Sequence, residues 1–258
     1  MKAPSFAYWK PRSLPEALEL LARPGAKILA GGQSLIPSLN MRLSSPELLV
    51  DITGLPGLSK IEFFKETARI GALTTHAQIE TSPEIAKQVP LLAAAARHVA
   101  HPAIRNRGTL GGSLALADPA AEYPACAVAL QASIVVASRK GERRVKADDF
   151  FRGLFETDLK PGEILVAVEF PTGGRSAFFE LARRQGDYAI VGLAGTSRGA
   201  EKRIAFFGVA ATPILIKPKS LEEARKALPT PNADLYNSSA TKRHLAGVLL
   251  ERAWTSLS

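Results

Sequence analysis

The run Arg105-Asn106-Arg107-Gly108-Thr109-Leu110-Gly111-Gly112-Ser113 leaves its backbone few ordinary options. Glycines this dense permit positive φ and allow a ligand or neighbouring segment to approach the main chain closely. Consecutive N–H groups in such a turn can converge on an anion, aided by the positive end of a following helix. A second glycine turn, Ala30-Gly31-Gly32-Gln33-Ser34, lies far upstream. Taken singly, either is equally an ordinary tight turn. Together, with hydroxyls at Ser34, Thr109 and Ser113, they suit a ligand with a diphosphate at its middle. Each hydroxyl contributes only ~0.5–1.5 kcal/mol net, so several must converge.

Neither turn fits G-x-G-x-x-G or ends in the GK[ST] of a P-loop, so a Rossmann dinucleotide site and a P-loop NTPase both lack motif support. The single cysteine, Cys126, excludes internal disulfides and a cysteine-ligated cluster held within the chain. Its neighbours Ala125, Ala127 and Val128 predict a buried, inert thiol. The net charge of +9 raises nucleic acid as a partner. However, the local basic excess is modest, confined to a hairpin turn at 139–144 and Lys242-Arg243 near the C-terminus, and forms no stripe with interleaved aromatics. With neither a membrane-length apolar stretch nor a signal-peptide core after Met1, the expected location is the cytoplasm.

With 258 residues the chain suits several subdomains, and three blocks are predicted: 1–55, 56–175 and 176–258. In the first, Ser13 caps a helix that Arg23-Pro24-Gly25 ends. Strands at 27–30 and 48–52 then flank the glycine turn and a helix at 35–43, a small βαβ-like unit. The second block opens with strands at 61–64 and 68–71. Helices follow around 75–80 and 90–100, then the long glycine run, then a helix from Asp118 through Gln131, and strands at 133–138, 143–145 and 163–170. The third block has strands at 177–182 and 204–210, packed by helices at 221–227 and 241–254. Antiparallel hairpins mixed with helices make this α+β, with no doubly wound parallel sheet.

Side chains for acid–base or nucleophilic chemistry are sparse. His76, His98, His101 and His244 show neither metal-ligand spacing nor a Ser/His/Asp grouping. His101 precedes Pro102, which favours a helix-terminal or loop position over metal binding. Asp118 and Glu122 lie four residues apart at a predicted helix N-terminus. Two readings stand side by side there: dipole complementarity, and acceptance of hydrogen bonds from a ligand's hydroxyls or ring N–H groups.

The segments 30–35, 101–113 and 186–189, with the ending Arg243-His244-Leu245-Ala246-Gly247-Val248-Leu249-Leu250, resemble the FAD-binding medium subunit of molybdenum hydroxylases. That group includes the carbon monoxide dehydrogenase medium chain and the flavin domain of xanthine dehydrogenase. The resemblance covers essentially the whole chain.

It implies a two-subdomain FAD-binding fold of the vanillyl-alcohol-oxidase (PCMH) type, followed by a small α+β C-terminal domain. FAD would lie between the subdomains. Its pyrophosphate would be held by the backbone of Gly31, Gly32, Gln33, Ser34 and Leu35 and by the segment containing Gly108, Thr109, Gly111, Gly112 and Ser113. Lys27 and Ala30 match positions near the adenine half, and Ala115, Leu116 and Glu122 match positions toward the ribityl chain. Leu165 completes the matched cofactor positions, and Asp187 and Tyr188 would lie near the isoalloxazine. Tyr188 is equally a packing aromatic on sequence grounds.

The resemblance further implies a large molybdenum-pterin subunit and a small [2Fe–2S] subunit, arranged as a dimer of heterotrimers. Electrons would leave to NAD, a quinone or oxygen. No catalytic side chain and no metal ligand is expected on this chain. Two other readings stay open: a free-standing flavin oxidoreductase of the same fold, and a non-enzymatic module binding an anion or nucleic acid.

Overall fold

The computed structural model describes residues 2–258. Three larger sheets and a two-stranded pair, Phe151–Gly153 with Glu156–Thr157, organise the chain, and three hydrophobic clusters pack them together.

The first sheet is parallel and three-stranded, with Leu48–Asp51 between Ala7–Trp9 and Ala26–Leu29. Its central strand is buried throughout, as its apolar run demands. The helix Leu14–Leu21 covers it with Ala17, Leu18 and Leu20, and the Ser13 hydroxyl accepts the Glu16 N–H at 3.3 Å as the expected N-cap. Ala7–Trp9 is too short and too exposed to have shown a pattern. The helix after the glycine turn runs only from Leu35 to Asn40, because Arg42 has φ 57° and closes it early.

The second sheet is antiparallel. Its order is Ile61–Phe63, Thr67–Gly71, Ile164–Pro171, Ser133–Ser138, Gly141–Lys146. Helices His76–Thr81, Pro90–Ala96, Leu110–Leu116 and Glu122–Ala129 pack into its core, which contains Cys126 at 0% exposure. Two boundaries differ from expectation. The last of these helices starts at Glu122, since Asp118 lies in the preceding turn and accepts the Ala120 N–H at 2.9 Å. Asp118 and Glu122 therefore do not share a helical face. The glycines of the long run are also partly helical: Thr109 is an N-cap, and Gly111 and Gly112 lie in the first turn of Leu110–Leu116.

The third sheet orders Arg175–Ala182, Ala189–Arg198, Glu201–Phe207 and Ile214–Ile216, all antiparallel. The nineteen-residue helix Ser239–Leu257 buries Ala246, Leu249, Leu250, Ala253 and Leu257 against it. Its ten-residue second strand escaped sequence reading because Gly192 and Gly195 interrupt the apolar pattern. Gly192 is required by packing, since a Cβ there would overlap the Phe207 ring.

Candidate functional site

A cleft of about 1630 Å³ opens between the first two sheets and is met on one side by the loop before Ala189–Arg198. Every cofactor position implied by the resemblance lines it. Lys27, Ala30, Gly31, Gly32, Gln33, Ser34 and Leu35 come from the parallel unit, and Gly108, Thr109, Gly111, Gly112, Ser113, Ala115, Leu116 and Glu122 from the second. Leu165 comes from its central strand, and Asp187 and Tyr188 from the third.

The two glycine segments turn out to have different jobs. In the first, the backbone N–H groups of Gly31, Gly32, Gln33, Ser34 and Leu35 donate to no described residue. Ser34 stands at the N-cap of the next helix without using its hydroxyl there. This is a run of donors beside the cleft, suited to an anion. In the second segment most donors are already taken. Leu110 N–H goes to Thr74 O at 2.9 Å, Gly111 N–H to Ala72 O at 2.8 Å, Gly112 N–H to Thr109 Oγ1 at 3.1 Å, and Ser113 N–H to Thr109 O at 3.0 Å. What remains is the Thr109 N–H and the Ser113 hydroxyl, neither of which has a recorded acceptor.

The glycines of this second segment instead permit contact. A Cβ on Gly111 would stand 2.6 Å from Ala72 Cβ and 2.8 Å from its carbonyl oxygen. A Cβ on Gly31 would overlap the Arg107 carbonyl oxygen, so the two segments touch through their main chains. Arg105, at the start of the run, is not an anion ligand in this arrangement. Arg105 is spent inside the chain, with Nε on Glu80 at 2.7 Å and Nη1 on the carbonyls of Val99 and Ala100 at 3.1 and 3.2 Å. It thereby holds the turn at Ala100, whose φ is 42° and which also lines the cleft.

At the other end, Asp187 is tied to Arg183 at 3.1 Å. Tyr188 is 73% exposed, so its ring is not a packing element. Lys27 Nζ donates to Ser44 Oγ at 3.3 Å.

Burial shapes the acids and bases of the cleft. It pushes the Glu122 carboxyl up to about 7, with the Asp118 charge adding to the effect, and it raises Asp118 as well. His76, absent from the predicted set, also lines the cleft. Burial, helped by the Arg105 charge, pushes its imidazole down to about 4, so it is neutral at pH 7. Its only sequence signal was an imidazole just inside the Thr75 N-cap of a short helix. No group of three or more His, Cys, Asp or Glu is placed to hold a metal among the described residues. No described helix is long and apolar enough to cross a membrane.

A dinucleotide fits this cradle on two counts: the free N–H run and the unengaged hydroxyls of Ser34 and Ser113, all lining one cleft.

Comparison with known proteins agrees with this geometry. Residues 4–173 match the family described as the FAD binding domain in molybdopterin dehydrogenase. The chain is similar to the 6-hydroxypseudooxynicotine dehydrogenase complex subunit alpha of Paenarthrobacter nicotinovorans, at 50% identity over 75% of this chain and 67% of the relative. It is 36% identical to the carbon monoxide dehydrogenase medium chain of Hydrogenophaga pseudoflava, over 98% of this chain and 97% of the relative. Among solved structures, quinoline 2-oxidoreductase from Pseudomonas putida 86 superposes with a TM-score of 0.93 at 38% identity, covering 100% of this chain and 98% of that one.

Proposed function

This chain belongs to the family of FAD-binding domains of molybdopterin dehydrogenases, and on that footing we propose that it is the electron-transferring medium subunit of a molybdenum-containing hydroxylase. Electrons would arrive from [2Fe–2S] clusters on a small subunit, after substrate oxidation at a molybdenum-pterin centre on a large one. They would leave to an external acceptor such as NAD, a quinone or oxygen. The assembly would be a dimer of heterotrimers working in the cytoplasm.

Bound FAD supplies the redox chemistry, exchanging electrons singly or as a hydride, and the chain supplies binding, orientation and electrostatics. The N–H groups of residues 31–35 hold the pyrophosphate, with the Ser34 and Ser113 hydroxyls and the Thr109 N–H as further donors. Gly108, Gly111 and Gly112 let this segment pack closely on His76, Ala72 and Thr109, which sets the helix Leu110–Leu116 beside the cleft. Lys27 and Ala30 border the adenine half, and Ala115, Leu116, Glu122 and Leu165 border the ribityl side. Asp187 fixes the loop that presents Tyr188 to the isoalloxazine, where the exposed ring can exclude water. Residues 1–55 and 56–175 form the two halves of the FAD unit, with 176–258 as the C-terminal domain.

The observation that carries this reading is the unengaged N–H run at residues 31–35 on the cleft shared with residues 108–113. Two measurements test it. The full chain, reconstituted with FAD, should show visible flavin absorption near one equivalent, and tagged protein from its native host should bring down chains containing molybdenum and iron. Colourless protein after reconstitution, alone and with those chains, would sink the cofactor assignment. A single chain that oxidises substrate on its own would sink the subunit assignment.

A further inference from the structure

Behind the cleft wall lies a carboxyl that neither the fold nor the cofactor cradle requires. Glu180, on the strand Arg175–Ala182, has a side chain only 3% exposed, and its Oε2 is buried with no hydrogen-bond partner. Among the described residues the one cationisable group paired with it is His98, whose Nδ1 lies 3.7 Å away and whose ring packs on Phe178. Burial pushes that imidazole down, so it offers no countercharge at neutral pH. On the cleft side stands Glu122, the first residue of its helix, 9% exposed and accepting no hydrogen bond from another residue's side chain. Asp118, Tyr123, Cys126 and Tyr188 are the other titratable groups facing it, and none is cationic. Arg105, the nearest guanidinium to act on this region, is held by Glu80.

Two buried carboxyls without a cation do not ionise together. Burial and the Glu122 charge accordingly push Glu180 up to about 8. Glu122 lines the cleft, and a ligand that fills the cleft covers it further. Losing that hydration disfavours its ionised form.

We propose that FAD enters the cleft together with a proton: Glu122, covered by the ligand, becomes a neutral carboxylic acid that donates a hydrogen bond to an acceptor atom of the cofactor, while Glu180 stays neutral and supplies no countercharge. The proposal rests on the FAD assignment. It reverses the role of hydrogen-bond acceptor that a carboxylate at this position would have.

The test is calorimetric titration of the flavin-free full chain with FAD at pH 8, in two buffers of different ionisation enthalpy. The unmodified chain should give buffer-dependent heats that correspond to uptake approaching one proton per FAD. Its affinity should fall toward tenfold per pH unit above pH 8. Glu122→Gln, which places a permanently neutral group there, should abolish the uptake and flatten the pH profile. Glu180→Gln, which keeps a neutral group on the neighbouring strand, should retain the uptake.

Buffer-independent heats in the unmodified chain, a measurement that needs no variant, overturn the proposal. So does an affinity that rises with pH. Loss of the uptake in Glu180→Gln places the proton on Glu180 and overturns its assignment to Glu122. Failure to bind FAD at any pH overturns the cofactor assignment itself, whereas FAD binding without proton uptake overturns only the proton coupling.

Discussion

Gly31 and Arg107 meet backbone to backbone: a Cβ on Gly31 would overlap the Arg107 carbonyl oxygen. This contact joins the parallel unit to the antiparallel one. The free N–H run of residues 31–35 and Ser113 line the same cleft. Gly31→Ala must push the two segments apart, an overpacking cost of about 1–3 kcal/mol. The expected result is a lower melting temperature together with loss of flavin absorbance per chain. A variant that melts lower but keeps a full equivalent of flavin would show that the contact serves stability alone.

Thr109 and Ser34 separate folding from binding. The Thr109 hydroxyl oxygen accepts the Gly112 N–H at 3.1 Å, so Thr109→Val should cost ~1 kcal/mol of stability. The Ser34 hydroxyl makes no cap bond, so Ser34→Ala should leave the melting temperature unchanged. It should weaken FAD binding by roughly two- to tenfold, the worth of one hydrogen bond. Thermal melts and FAD titrations of the two variants side by side check this, and equal effects on both readouts would count against the division of roles.

Arg105 braces the Ala100 turn through Glu80 and two carbonyls. Arg105→Ala leaves a partly buried carboxylate and both acceptors without their donor, at about 1–3 kcal/mol. The midpoint of urea unfolding should fall with no change in slope. If Arg105 were an anion ligand instead, the midpoint would stay and only FAD affinity would drop.

Glu180 ties stability to pH. Its folded-state value of about 8 lies above the ordinary glutamate value near 4.5. Its contribution is therefore fully present below about pH 4.5 and is lost as the pH rises through about 8. His76 works in the opposite sense. Held down at about 4 against 6.5, it contributes above pH 6.5 and its contribution is lost as the pH falls through 4. The flavin-free chain should melt progressively lower from pH 6.5 to 8, and Glu180→Gln should flatten that limb. A limb of unchanged steepness in this variant would assign the pH dependence elsewhere.

Much of the site was legible without coordinates, because glycine turns, hydroxyl caps and short apolar strands are local features. Residues 30–35 and 108–113 announce close backbone approach by composition, and all the residues matched to the family line one cleft. What failed did so for non-local reasons. The Ala189–Arg198 strand was hidden because Gly192 answers to the Phe207 ring on the next strand. The helix start was misplaced at Asp118 because an Asx-type turn and a helix cap use the same residue types.

The amino-acid order by itself determined where the backbone could come close to a ligand, which helices begin at hydroxyl caps, and that Cys126 is buried. Tertiary structure alone decided which N–H groups stay available. Ala72 and Thr74, brought in from another segment, take the donors of Gly111 and Leu110, and no described residue takes those of residues 31–35. It also decided the ionisation of Glu122 and Glu180, which lie on different elements and answer to shared burial. Hydrogen-bond satisfaction and desolvation depend on what the folded chain brings alongside, and local sequence does not record that.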